Sequence, residues 1–221
     1  MSRLKEYLIE SFEPNYDAMA ELIRKDCGPW IKESRGATAS RGISRNKPKL
    51  DNIEKRTIRT NRVPKDTSIV NHTLSDLAFK DVFGWKARSN VLFVQGDVLS
   101  HLGYISKDIW VVYPIGSYKY LWAPQVADFT LGISHMEIAS MEKAGKDDFM
   151  DNDWYSLQET PIYKKHFLKL VTTFIKKHYK STGLYKALTT YSNNEVMLNC
   201  KDYYLIPLLM EYNEIGPRLK K

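Results

Sequence analysis

The hydrophobic period of this chain changes at Gly84, and that change limits the possible folds more than any other feature. Upstream, Val70, Leu74, Leu77, Ala78 and Val82 fall on one stripe at helical spacing. Gly84 stands where a helix C-terminus wants a residue free to take positive φ, so a helix is predicted over 68–83. Downstream, 91–94, 109–113 and 118–122 are short β-branched or aromatic runs bounded by Gly, Asp and Pro, which is strand chemistry. Ile115-Gly116-Ser117 reads as a turn between the last two runs. Thr160 followed by Pro161 opens another predicted helix, because a capping hydroxyl precedes a residue whose missing N–H costs nothing there. That helix runs to about Tyr179, buries Phe167, Leu168, Val171, Phe174 and Ile175, and carries Lys176, Lys177 and Lys180 near its negative end. Gly183 closes it. Beyond, 185–191, 195–198 and 203–206 read as strands, with 199–202 as a hairpin turn.

The N-terminal residues predict two helices. Leu4, Leu8, Ile9 and Phe12 share one face, and Pro14 ends that helix. Tyr16, Met19, Leu22 and Ile23 repeat the pattern up to Gly28-Pro29. From 34 to 64 the pattern dissolves into loop, with a short extended piece near 41–43. Helices, then strands, then a helix, then strands do not alternate as a doubly wound sheet would, so the class is α+β with mostly antiparallel pairing.

With 221 residues and 43% apolar content the chain can bury one core, and a single domain over 1–221 is the expectation. No run approaches the ~18 apolar residues of a membrane span, and Glu6, Glu10 and Glu13 interrupt any signal core. Cys27 and Cys200 are too few for a disulfide scaffold and too far apart for a zinc pair, which suits a reducing cytosol. The net charge of +7 is concentrated. Ten Lys/Arg against Asp51 and Glu54 lie between Arg35 and Lys65, so that segment carries +8 and the remaining chain −1. Such a segment is either a solvated basic loop or a grip on a phosphate-bearing ligand or nucleic acid.

P-loop, dinucleotide-binding Gly-x-Gly-x-x-Gly, His-Glu-x-x-His and Gly-x-Ser-x-Gly patterns are absent, which removes the common kinase, hydrolase and metalloprotease readings. The five histidines, at 72, 101, 135, 166 and 178, are scattered, and no metal site is expected. What remains is an ordered constellation: Ser40-Arg41-Gly42-Ile43, then 91–97 with Phe93, Gln95, Gly96 and Asp97, then Asn193-Asn194-Glu195-Val196-Met197-Leu198 followed by 203–206.

This order resembles the ADP-ribosyltransferase family of the arginine-serine-glutamate type, including phage-encoded members. The resemblance spans about 36–206 and implies a split antiparallel β-sandwich with N-terminal helices (1–33) packed against it. It implies NAD as a substrate and no metal. Arg41 would hold an NAD phosphate through its planar charged fork, with Gly42 letting the backbone approach. Glu195 would be the catalytic glutamate, stabilising positive charge that develops only as nicotinamide departs. Phe93, Gln95, Gly96 and Tyr113 would line the cofactor cleft, and Tyr118, Tyr120 and Trp122 are further rings of strand or core type. Arg41 also reads as one more loop arginine, and Glu195 as a solvent-facing strand end.

Two positions depart from the family pattern. The serine segment is here Val94-Gln95-Gly96, without a hydroxyl, which leaves Gln95 as the candidate support for the glutamate. Arginine-modifying members carry an acid two residues before the catalytic one, where this chain has Asn193 on the acceptor side, so arginine is disfavoured as the acceptor, and another side chain of a host protein, nucleic acid, simple NAD hydrolysis and a degenerate, inactive member all stay open. Arg56, Arg59, Arg62 and Lys65 recur every third residue and can line phosphates along one edge. In the resembled phage proteins segments like 59–67 and Phe83-Gly84…Arg88-Ser89 recur. The resemblance places the activity in a bacterial host cytoplasm, away from any membrane. The competing expectation is a non-enzymatic basic protein that binds nucleic acid or an acidic partner through 35–65.

Overall fold

The computed structural model describes residues 15–44, 53–60, 62–64, 67–96, 107–145 and 154–220. The helix expected over Leu4 to Phe12, Asp97 of the 91–97 segment and the patch residue Lys65 lie outside the described residues.

Among the described residues seven strands form two antiparallel sheets. β1 (Ser40–Ser44), β4 (Lys107–Pro114), β7 (Asp202–Pro207) and β2 (Glu54–Thr57) make one, in the order β1-β4-β7-β2; β3 (Leu92–Val94), β6 (Val196–Cys200) and β5 (Tyr118–Trp122) make the other, in the order β3-β6-β5. The pairing of Ser40 with Gln95 joins the two sheets at one corner. Trp110, Val112 and Leu205 of the first sheet pack on Leu92, Val94, Tyr120, Val196 and Leu198 of the second, and this layer is the middle of the core.

Helices cover both outer faces. α1 (Tyr16–Ser34) packs Ile23 and Cys27 on Tyr204 and Ile206 of the first sheet, beside Ile215 from the C-terminal helical turns. Against the second sheet, α2 (Ile69–Phe83), α3 (Phe129–Lys143) and, after the short α4 (Trp154–Gln158), α5 (Pro161–His178) pack Phe79, Phe129, Phe167 and Val171 onto Leu121 and Met197. The layers are therefore helix, sheet, sheet, helix, an α+β arrangement in which both sheets are packed between helices, with Lys55 and Thr57 of the edge strand β2 left exposed.

The caps explain where α2 and α5 begin. Ser68 accepts from Asn71 N–H and Thr160 from Tyr163 N–H, while Gly84 ends α2 at φ 79°. Both helices match the sequence expectation closely. α1 does not stop at Gly28-Pro29. Its backbone turns non-helical at Cys27, φ −116°, which makes room for the Pro29 ring, and the Asp26 carbonyl near the bend accepts from Gly116 N–H at 2.8 Å. The helix then continues so that Trp30 and Ser34 are buried.

Three further expectations are corrected. The 199–202 segment is no hairpin: β6 and β7 belong to different sheets, and the chain crosses between them at Lys201. The turn expected at 115–117 is present, with Gly116 at φ 68°, and there the chain passes from β4 in one sheet to β5 in the other. The residues expected as a strand over 185–191 instead form α6 (Leu184–Thr189), because Leu184, Ala187 and Leu188 at helical spacing fill the layer between the sheets. The basic 35–65 segment is also less loop-like than expected, since it supplies both β1 and β2.

Candidate active site

Glu195 stands where three strands meet. The next residue, Val196, pairs with Val94 of β3 on one side and with Trp122 of β5 on the other. The turn that leads to it is held from two directions. Gln95 Nε2 donates to Asn193 O at 2.9 Å and Gly96 N–H to Ser192 O at 2.9 Å; Asn194 Nδ2 donates to Ala123 O at 2.7 Å, and Glu195 N–H to Ala127 O at 3.1 Å. The side chain shares the parity of Met197, so it faces the helical layer and not the space between the sheets.

There its carboxylate accepts from Phe129 N–H in the first turn of α3, a position that favours negative charge. Burial nevertheless pushes the Glu195 carboxyl up to about 7, with the neighbouring Asp128 adding to the rise, while Arg88, Arg62 and the Phe129 N–H act the other way. Asp128 is itself the N-cap of α3, accepting from Thr130 N–H at 2.6 Å. The buried Tyr179 hydroxyl borders the same charges; burial raises its pKa, Arg88 opposes the rise and Glu195 reinforces it.

Two guanidinium groups share one ring. Arg62 lies 4.4 Å and Arg88 5.1 Å from the centroid of Phe93, and Arg88 is also 4.7 Å from Phe129. Each such contact is worth about 0.5–2 kcal/mol. Arg88 is only 8% exposed and owes its position to Asp76 on α2. Asp76 Oδ1 accepts from Arg88 N–H at 2.7 Å and Ser89 N–H at 3.2 Å, and its Oδ2 accepts from the Ser89 hydroxyl. Arg62 N–H in turn donates to Ser89 O at 3.3 Å, so the two arginine segments are stitched together. Burial lowers the pKa of His72, whose Nε2 is 3.0 Å from Ser89 Oγ. Because that hydroxyl gives its proton to Asp76, the Ser-His-Asp trio braces a loop and is not arranged as a nucleophile with its base.

The residues singled out from the sequence are thus divided. Glu195, Phe93, Gln95, Gly96, Asn193 and Arg62 gather around one corner. Arg41 is set apart: it pairs with Trp110 of the inter-sheet core, and burial holds its guanidinium below the usual arginine range, with Tyr203 acting against that and Arg56 with it. Among the described residues no hydrogen bond or ion pair joins Arg41 to Glu195. Gly42, next along β1, pairs with Ile109 of β4. Tyr113 is also corrected, because its hydroxyl donates to Glu211 at 2.7 Å against the C-terminal helical turns. Tyr118 and Tyr120 both donate to Glu33 at 2.5 Å, and Tyr118 lies at the end of β5 remote from Glu195. The arginine series does not line one edge: Arg56 lies on β2, paired with Glu54 at 2.5 Å, Arg59 is exposed beyond it, and Arg62 reaches Phe93.

Gly96 is required by packing. A Cβ there would lie 2.0 Å from the Leu188 carbonyl oxygen of α6. Among the described residues no three His, Cys, Asp or Glu side chains converge as a metal would need, and no helix is long and apolar enough to cross a membrane. Sequence reasoning missed Asp128, Phe129 and Tyr179. An Asp immediately before an apolar helix start was a legible capping signal for the first two, whereas nothing local marked Tyr179. Comparison with protein-family models, with curated proteins and with solved structures finds no match to this chain.

Proposed function

We propose that this chain cleaves the N-glycosidic bond of NAD and transfers the ADP-ribosyl group to a host macromolecule in the bacterial cytoplasm, with Glu195 as the catalytic carboxylate. The observation that carries this reading is the buried Glu195 carboxyl, which accepts from Phe129 N–H beside Asp128, together with two guanidinium groups over Phe93. NAD offers matching chemistry: a diphosphate for the arginine forks and planar rings for an aromatic face. The two antiparallel sheets support the sandwich of the ADP-ribosyltransferase type.

In this reading the bond from ribose C1′ to the nicotinamide nitrogen breaks, and its electron pair leaves with nicotinamide, which becomes neutral. The positive charge left on the ribose is stabilised by ionised Glu195. An acceptor nucleophile then bonds to C1′ and releases a proton; with water as acceptor the outcome is NAD hydrolysis. The charge appears only near the transition state, so the carboxylate lowers the barrier and does not merely tighten binding. The diphosphate falls to Arg88 and Arg62, and Arg41 serves the sheet layer.

The test is incubation with labelled NAD and bacterial lysate, following nicotinamide release and transferred label. Glu195→Gln is expected to lower the rate by ~10²–10³ while the fold is retained. Wild-type protein that releases no nicotinamide and transfers no label, where a known transferase does both, overturns the proposal.

A further inference from the structure

A concavity of about 450 Å³ is lined by Trp122, Lys177, His178, Lys180, Lys186 and Tyr191, among others, close in the chain to the turn that carries Glu195, with no acidic side chain among its lining residues. Its floor is fixed. Trp122 and Lys180 exchange backbone hydrogen bonds at 3.1 and 2.9 Å, and the Trp122 indole N–H donates to Thr182 O at 2.8 Å. Lys177, Lys180 and Lys186 are exposed, and among the described residues none of them has a carboxylate partner. By contrast, Lys164 is paired with Glu159 and Lys176 with Asp81.

The helix dipole accounts for a cation at Lys177, in the last turn of α5. It does not account for Lys180, which lies beyond that helix, or Lys186, which belongs to α6. Three like charges around one hollow repel each other, and an anion relieves that repulsion. They also outweigh the roughly half charge of opposite sign at the end of α5. Tyr191 adds a half-buried ring, 5.4 Å from Trp122 and 5.8 Å from the Lys186 ammonium. Successive cations beside an aromatic face suit a single strand, whose phosphates take the lysines while a base meets the ring.

We propose that this cavity binds single-stranded nucleic acid. Resting on the transferase reading of Glu195, the bound strand is a candidate acceptor: Asn194 N–H donates to Tyr191 O at 2.9 Å, so ring and carboxyl share one short turn, and the strand must round that turn from the Trp122–Tyr191 side to the helical side that Glu195 faces.

The experiment is fluorescence anisotropy of a labelled oligo(dT) of about 12 nucleotides over a salt series, with the triple variant Lys177→Glu, Lys180→Glu, Lys186→Glu. Three lost phosphate contacts are expected to flatten the slope of log K against log salt by about 2, and to weaken binding at about 50 mM salt at least ~10-fold. A variant with the same net charge, Lys25→Glu, Lys32→Glu, Lys165→Glu, is expected to keep the wild-type slope. The triple Lys→Gln variant of the cavity, checked by circular dichroism, guards against misfolding and is expected to lose the same slope. Wild-type affinity and slope in the cavity variants, or equal losses in both Glu variants, overturn the inference. Nicotinamide release without oligonucleotide, read on the same proteins, separates the two claims: if it is absent from wild type while binding is lost only in the cavity variants, the cavity stands and the transferase reading falls.

Discussion

Replacing Glu195 by glutamine is expected to stabilise the protein, and to do so more strongly as pH rises. The carboxyl ordinarily titrates near 4.5 and is raised to about 7 in the folded chain. A raised pKa means that folding favours the protonated form, so the stability this group provides is complete below about 4.5 and is lost as pH rises through about 7. At about pH 8 nearly the whole shift is felt, on the order of 3 kcal/mol; at about pH 5 the cost is on the order of 1 kcal/mol. Glutamine keeps an oxygen to accept from Phe129 N–H and never ionises. Its advantage over wild type therefore grows by roughly 2 kcal/mol between the two conditions, which is about 4–8 °C in Tm for a chain of this size. Thermal unfolding followed by circular dichroism, at both pH values and for both proteins, measures it directly. An equal Tm difference at the two pH values, or a variant less stable than wild type at the higher one, refutes the idea that burial and Asp128 strain this carboxylate.

The remaining predictions concern the same corner. If ionised Glu195 is the active form, kcat/KM for nicotinamide release rises with pH and is half-maximal near 7; a profile flat between about pH 5.5 and pH 8.5 contradicts that role. Arg88→Lys keeps the charge but loses the planar fork over Phe93 and Phe129, so KM for NAD is expected to rise about tenfold with smaller change in kcat. Asp76→Asn disturbs a buried acceptor of three hydrogen bonds, and urea denaturation should report a loss of roughly 1–3 kcal/mol. Gly96→Ala forces a methyl against Leu188 O, and the expected loss of about 1–3 kcal/mol should appear in the same assay.

The elements legible in the sequence were those with local punctuation. Ser68 and Gly84 bound α2, and Thr160 and Pro161 open α5, because capping is decided by neighbouring residues. The strand beginning just after Glu195 was legible too. Its pairing was not, since Val196–Cys200 and Asp202–Pro207 are buried on both faces and carry no polar alternation to say which sheet each joins. α6 was misread because Tyr185, Thr189 and Thr190 favour strands, while tertiary burial of Leu184, Ala187 and Leu188 decides the outcome. For the site, the 59–67 and 83–89 segments read as separate features in the sequence. Their meeting over Phe93 depends on Asp76 gripping the Arg88 turn from another helix, which no local pattern reveals. Arg41 shows the reverse: a plausible motif whose side chain the strand register turns toward the inter-sheet layer.

A crystal structure with a non-hydrolysable NAD analogue tests the account most directly. The account predicts the diphosphate between Arg62 and Arg88, a ring on Phe93, and the nicotinamide ribose within hydrogen-bond distance of Glu195. Analogue bound against Arg41 with Glu195 untouched, or no binding at millimolar concentration, contradicts it.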